Sequence, residues 1–178
     1  IMSTLISQRP RHFSDQVPVL ASQLDSGEQP IRVPATEALI ELARQSPDEV
    51  NQSSEHLYKV FQTDDTDAKR SATVVLSVLG RRYPGAIVPV VDELRPLTEA
   101  EDPMVRAPAA EALAKIATHD PEVVRPEASR LREMLTDDSS NVVDSASEAL
   151  EQLSRSCPEE APSVDVLARI LRAEKPRA

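Results

Sequence analysis

Apolar residues recur along the chain at a fixed interval of 37 residues. Within each interval they lie three, four and seven positions apart, a spacing that places side chains on one face of an α-helix. Four such columns are Leu39, Leu76, Leu113 and Leu150; Leu42, Leu79, Ile116 and Leu153; Ala35, Ala72, Ala109 and Ala146; and Ala38, Val75, Ala112 and Ala149. They predict four copies of one helix, called the B helix, over 31–45, 67–82, 104–118 and 141–155.

A second set of apolar columns precedes each B helix and predicts a partner, called the A helix. Its columns are Phe13, Val50, Ile87 and Val124; Leu20, Leu57, Leu94 and Leu131; and Leu24, Phe61, Thr98 and Leu135. They place A helices at about 13–25, 49–62, 86–98 and 123–136, with Thr98 as the one weak member. We interpret both sets as core, because apolar stripes at helical spacing pack against neighbouring helices.

Prolines punctuate the same interval. The recurring prolines are Pro10, Pro47, Pro84, Pro121 and Pro158. Three boundaries predict an N-cap followed by a proline in the first turn, namely Ser46-Pro47-Asp48-Glu49, Asp102-Pro103 and Asp120-Pro121. Pro89 and Pro126 lie inside A segments and predict kinked or two-part helices, to which Pro96 adds a second irregularity. Pro34 and Pro108 are expected in or near the first turn of their B helices.

The copies predict an all-α solenoid, in which each helix pair packs only against its neighbours. One domain over residues 1–178 would contain a half repeat at 1–9, four repeats at 10–46, 47–83, 84–120 and 121–157, and a terminal half repeat at 158–178. The half units are either caps or the ends of a fragment of a longer array. Ile1 before Met2 favours a fragment or an engineered start.

The amino-acid composition favours a helical fold and limits the kinds of partner that the chain can bind. The chain contains only 3 Gly and 2% aromatic residues, too few turn-forming glycines for a β-rich protein. A net charge of −10 repels phosphate backbones, which makes nucleic acid an unfavourable partner. Its 16 Arg against 4 Lys, with excess carboxylate, is similar to the composition of proteins from salt-loving microbes. The single Cys157 indicates a reducing cytoplasm, and no apolar run is long enough to span a membrane.

No catalytic or metal-binding pattern is present in the sequence, so we expect neither enzymatic activity nor a cofactor. His12, His56 and His119 fall in three different columns, without the converging spacing that a metal site needs. Cys157 has no evident His partner. Paired carboxylates lie only at turns, where capping and solvation explain them: Asp64-Asp65, Asp137-Asp138 and Glu159-Glu160.

The succession of A helix, short acidic turn and B helix resembles the HEAT repeat over essentially the whole chain, and the third copy carries the pattern best. The residues that carry the resemblance are Asp102-Pro103-Met104-Val105-Arg106, Ala109-Ala110, Ala112-Leu113 and Ile116-Ala117. The resemblance implies a right-handed superhelix of antiparallel helix pairs, with A helices on the convex side and B helices on the concave side. HEAT proteins mostly serve as scaffolds and adaptors. The pairs Glu28/Arg32, Asp65/Lys69 and Asp102/Arg106 are predicted as i,i+4 ion pairs, and the resemblance implies that such groups also form ladders between repeats.

The sequence therefore predicts a non-enzymatic scaffold that binds a protein through the exposed side of its B helices, although a merely solvated face is the plain alternative. The candidate contact residues are Glu37, Glu41, Arg44, Arg81, Glu111, Lys115, Glu148 and Arg155. Two other functions stay open. One is an accessory or chaperone subunit of an enzyme, similar to HEAT-like bilin lyases. The other is a nucleic-acid-associated architectural subunit of the kind found in chromosome-organising complexes.

Overall fold

The computed structural model describes residues 16–161, and within that range every regular element is helical. The helices in chain order are α1 (Val17–Leu24), α2 (Gln29–Gln45), α3 (Pro47–Gln52), α4 (Glu55–Val60), α5 (Thr66–Leu79), α6 (Val91–Thr98), α7 (Pro103–His119), α8 (Pro121–Val124), α9 (Ala128–Met134) and α10 (Ser140–Ser156). Four 3₁₀ turns lie at Pro84–Ala86, Val88–Val90, Arg125–Glu127 and Pro158–Glu160. The half repeat predicted at 1–9 and most of the one at 158–178 lie outside the described residues.

The B helices are α2, α5, α7 and α10, and they begin at Gln29, Thr66, Pro103 and Ser140, each 37 residues after the last. They match the predicted ranges to within three residues at every end. Because α2 and α7 begin slightly early, Pro34 and Pro108 lie beyond the first turn, inside the helix. All sixteen residues of the four B-helix columns are buried, as predicted.

Two layers of helices enclose the core. Successive B helices contact one another, α2 with α5, α5 with α7, and α7 with α10. On the other side α1, α4, α6 and α9 each pack on the B helix that follows them, which forms the A layer. The described A-column residues are buried too, and the odd member Thr98 hides its hydroxyl by donating to the Arg95 carbonyl at 2.7 Å. The apolar columns therefore fill one continuous core between the layers.

Within residues 16–161, the A segments of the second, third and fourth copies are broken. In the third and fourth copies 3₁₀ turns surround Pro89 and Pro126, which confirms the predicted interruption, because proline cannot donate the helical hydrogen bond. The second copy was expected to be continuous over 49–62, and that expectation is wrong. Its chain tightens at Ser53 and Ser54, whose amides bond three residues back at 3.2 Å and 3.3 Å.

Two of the predicted N-caps are also wrong. Asp102 does cap α7, since its carboxylate accepts from the Met104 amide at 2.8 Å. Ser46 and Asp120 make no side-chain cap. Each of these two residues instead ends the preceding B helix, donating its own amide to Leu42 or Ile116 at 2.7 Å. Ser46 and Asp120 are each the single residue between two helices. The hydrogen bond to the preceding helix fixes the backbone of that residue, and its side chain does not cap the helix that follows.

Candidate partner-binding face

The exposed side of α2, α5, α7 and α10 forms one surface, which we call the B face. Seven of the eight predicted contact residues lie on these helices. The eighth, Arg81, lies in the turn that follows the last residue of α5, Leu79. Arg44, Arg81 and Arg155 are open, each with more than 60% of its side chain exposed. Lys115 is the most covered, at 17%.

Ion pairs connect neighbouring repeats across the B face. Arg81 Nη2 lies 3.5 Å from Glu111 Oε1, and Lys115 Nζ lies 2.6 Å from Glu148 Oε1. In each pair a base near the end of one B helix meets an acid in the middle of the next. The predicted residues are therefore partly engaged with one another, which lowers the charge that they present to a partner.

This ladder stops between α2 and α5. By the 37-residue register, Val74 stands where α7 and α10 carry Glu111 and Glu148. Arg44 therefore has no acid opposite it on α5 and lies only 4.0 Å from Glu41 of its own helix. Sequence reasoning missed Val74, although its place in a column of glutamates was the signal that could have found it.

A second ladder runs along the edge where A helices turn into B helices. Arg32 binds Asp65 and Asp67 of the next repeat at 2.8 Å and 3.1 Å, and Arg106 binds both oxygens of Asp137 at 2.9 Å and 2.8 Å. The predicted i,i+4 pairs are wrong, because these arginines reach forward to the following repeat. The repeat-to-repeat ladder implied by the HEAT resemblance is the arrangement observed.

The same arginines also tie down the turns before them. Arg32 Nη1 donates to the Ser26 carbonyl at 2.9 Å, and Arg106 Nη1 donates to the Ala100 carbonyl at 2.8 Å. Lys69, the member of this column on α5, makes no ion pair within residues 16–161. A lysine ammonium is a compact charge on a flexible stem, whereas the planar guanidinium of arginine holds its donors in a fixed fork that matches a carboxylate and a carbonyl together. The α5–α7 boundary therefore lacks this clamp.

These contacts shift the pKa values of the carboxylates that accept the hydrogen bonds. Hydrogen bonding from the Ala68 amide, with Arg32 beside it, lowers the pKa of Asp65. Burial alone would raise the pKa of Asp137, but the Arg106 guanidinium and the Ser139 amide outweigh it and hold that pKa below its ordinary value. Both carboxylates are thus ionised parts of the framework.

The family match decides what kind of helical repeat this is. A model of the Cnd1 family, described as non-SMC mitotic condensation complex subunit 1, matches residues 72–174, more than half of the chain. The chain belongs to the Cnd1 family. It is a HEAT-repeat protein, and no curated protein sequence matches it.

Solved structures similar to this Cnd1-family chain share its solenoid fold. An engineered protein from the Northeast Structural Genomics Consortium superposes with a TM-score of 0.69 at 24% identity, covering 89% of this chain and 73% of that one. A designed armadillo repeat protein gives 0.63 at 16% identity, over 89% and 70%. Another, in complex with the peptide (KR)4, gives 0.63 at 18% identity, over 89% and 70%. The matched family and these structures are a complex subunit and engineered or designed proteins, not enzymes.

Two of the groups of this Cnd1-family chain that were considered for chemistry, Cys157 and His56, lie beside other protein groups. Burial, with a thiol hydrogen bond to Glu122 at 3.4 Å, raises the pKa of Cys157, which makes it a poor nucleophile. His56 Nδ1 lies 3.2 Å from the Ser53 carbonyl. In the described part of the chain, no three His, Cys, Asp or Glu side chains converge as metal ligands. None of the helices between residues 16 and 161 is long and apolar enough to cross a membrane.

Proposed function

We propose that this protein is a non-enzymatic HEAT-repeat scaffold that holds a protein partner along the B face. The observation that supports the proposal is the uninterrupted layer of four B helices, which presents equivalent positions at regular intervals. Such a surface offers many weak contacts to an elongated partner, the usual mode of binding in solenoids. Residues 16–161 belong, in this proposal, to a single solenoid domain.

Mixed charge on the B face supports a protein rather than a nucleic acid as the partner. Bases and acids alternate there, and the whole chain carries a charge of −10, which repels a phosphate backbone. A polar surface of both signs fits another protein surface of mixed charge. We place this encounter in the cytoplasm, where a lone buried thiol such as Cys157 stays reduced.

Reversing the exposed arginines tests the B face. We expect Arg44→Glu, Arg81→Glu and Arg155→Glu together to weaken capture of the native partner by about tenfold or more, since each removes an exposed positive charge and installs a repulsive one. Capture is measured by pull-down and quantitative mass spectrometry at native salt, and circular dichroism checks the fold. Arg44→Glu alone is compared with Lys59→Glu, an exposed base on the A layer. Undiminished capture by the triple variant would remove the proposal.

A second function is favoured by the family match. The Cnd1 family is named for a subunit of a mitotic condensation complex, so an architectural role in a chromosome-organising assembly is the alternative. We rank it above the role of an enzyme's accessory subunit for that reason. A mobility shift of DNA or RNA by the purified chain, lost on adding salt, would support direct contact with nucleic acid; the absence of a shift at low salt would exclude it.

A further inference from the structure

The outward-facing line of α5, half-buried as far as Val78, differs from those of the other three B helices. Read along the helix, it consists of Arg70, Val74 and Val78, followed in the next turn by Arg81. The corresponding lines are Val33, Glu37, Glu41 and Arg44 on α2; Ala107, Glu111, Lys115 and Thr118 on α7; and Asp144, Glu148, Gln152 and Arg155 on α10. Each of those three contains an acid. In a chain of net charge −10, the α5 line alone is basic at both ends and apolar between them.

A depression lies beside this line, between α2 and α5. Its volume is about 140 Å³, and its lining is Val33, Thr36, Glu37, Arg70, Ser71 and Val74. A cavity of roughly this size accommodates benzene in another protein, so one aliphatic or phenyl side chain fits here. Val33 is 47% exposed at its rim, so its side chain is open to an apolar group that enters the depression.

One buried hydrogen-bond donor at the depression has no acceptor. Arg70 Nε is buried and makes no hydrogen bond. The nearest carboxylate, Asp67, is 3.8 Å from Arg70 Nη2 and already receives Arg32 at 3.1 Å. Ser71 lies beside Arg70, but its hydroxyl does not belong to the buried side-chain atoms that lack a hydrogen bond in the described part of the chain. An unsatisfied buried donor is costly, and a carboxylate is the acceptor that a guanidinium binds most strongly.

The other arginines around α5 are also loosely held. Arg44 is 4.0 Å from Glu41, and Arg81 is 3.5 Å from Glu111, at the limit of hydrogen bonding. Glu37 is the one free carboxylate at the depression, but it is exposed and therefore hydrated at little cost. These arginines thus favour an incoming acid over an incoming base.

We propose that the α5 line and its depression form a docking strip for a partner segment with an apolar centre and carboxylates at both ends. An apolar side chain of the segment occupies the depression against Val33 and Val74, one carboxylate accepts from Arg70, and the other binds Arg81. Arg70 and Arg81 are about 16 Å apart along the helix, which an extended segment covers in about five residues. The proposal rests on the B face being the binding surface, and it specifies the chemistry of the partner.

Two fluorescent peptides test the chemistry on the unaltered chain. In one, two glutamates roughly five positions apart bracket two leucines; in the other, lysines replace the glutamates. By fluorescence anisotropy we expect the glutamate peptide to bind about tenfold or more tightly than the lysine peptide, and its affinity to fall as salt is added. Equal affinities, tighter binding of the lysine peptide, or no binding of either at millimolar concentration would overturn the proposal.

A single substitution locates the binding. Val74→Glu puts a carboxylate opposite Arg44 in the register that joins Arg81 to Glu111, so it completes the ladder and blocks the strip. We expect it to weaken the glutamate peptide about tenfold or more, whereas Val19→Glu, at a 56% exposed valine of the A layer, leaves the affinity unchanged. Equal effects of the two variants would overturn the location. Partner capture by the arginine variants above reports separately on the B face, so a failed strip and a failed scaffold are distinguishable.

Discussion

Replacing Leu113 by alanine is expected to lower the free energy of unfolding by about 2–5 kcal/mol, the range found for buried leucines elsewhere. Leu113 is fully buried in α7. That helix contacts α5, α6, α8 and α10, so it packs against helices of both layers. The alanine would leave a cavity that none of these helices can fill without disturbing another. A loss of that size is a large part of the stability of an ordinary domain.

Chemical denaturation followed by circular dichroism measures this effect, with Met104→Ala as the control. Met104 lies on the same helix but is 61% exposed, so its truncation should change the unfolding free energy by less than about 0.5 kcal/mol. A thermal scan should show the Leu113→Ala midpoint falling by roughly 5–15 °C. Equal effects of the two variants would mean that α7 is not the packed centre of the described repeats.

The denaturant slope carries further information in a repeat protein. If the cavity uncouples the repeats on its two sides, they unfold in separate steps and the apparent slope falls, because each step exposes less surface. An unchanged slope with a lower midpoint would instead show that the described repeats still unfold together. Either outcome reports on the strength of the α5–α7 and α7–α10 interfaces.

The core was predictable from sequence because burial is periodic. A leucine that must face the same neighbours in every copy recurs at the same register, and the B-helix columns are buried without exception. Pro89 and Pro126 predicted the broken A helices for an equally local reason, because proline has no N–H to donate to the helical hydrogen bond. Ser53 and Ser54 gave no such signal, because serine keeps its N–H and is tolerated in helices.

The ion pairs were harder to predict, because side-chain direction depends on the neighbouring repeat. Glu28 and Arg32 have the spacing of a helical pair, yet Arg32 points forward to Asp65, where a buried guanidinium finds two acceptors. Lys69 has the same spacing and no partner in the described range. On the B face, the exposed residues were identified by their columns. The replacement of a glutamate by Val74 in its column could be interpreted only from the structure, where Arg44 has no acid opposite it on α5.

Replacing Arg106 by methionine should cost about 3 kcal/mol, since it breaks a nearly buried ion pair and leaves one charge behind. The side chains of Arg106 and Asp137 are only 14% and 12% exposed. Without the guanidinium, the Asp137 carboxylate and the Ala100 carbonyl both lose a donor. Methionine keeps the apolar stem of the side chain, so the loss reports on the charge and its hydrogen bonds.

Arg81→Met is the matched control, because Arg81 is 67% exposed and only 3.5 Å from Glu111. An exposed pair of that kind contributes less than about 1 kcal/mol. If Arg106→Met lowers the free energy of unfolding no more than Arg81→Met does, the Arg106–Asp137 pair does not stabilise the fold more than an exposed pair. A further double variant, Arg106→Met with Asp137→Leu, should recover most of the loss, because the stranded charge is then gone.

Acid titration separates the ionic contribution of Arg106 from its packing. The pKa of Asp137 is lowered below its ordinary value of 3.8 in the folded chain, so its contribution to stability is complete above about pH 4 and is lost as the pH falls through the folded-state pKa. In Arg106→Met, burial acts on Asp137 without the guanidinium, and protonation relieves the stranded charge. The gap in unfolding free energy between the two proteins should therefore narrow as the pH falls below about 4. A constant gap would assign the effect of Arg106 to packing alone.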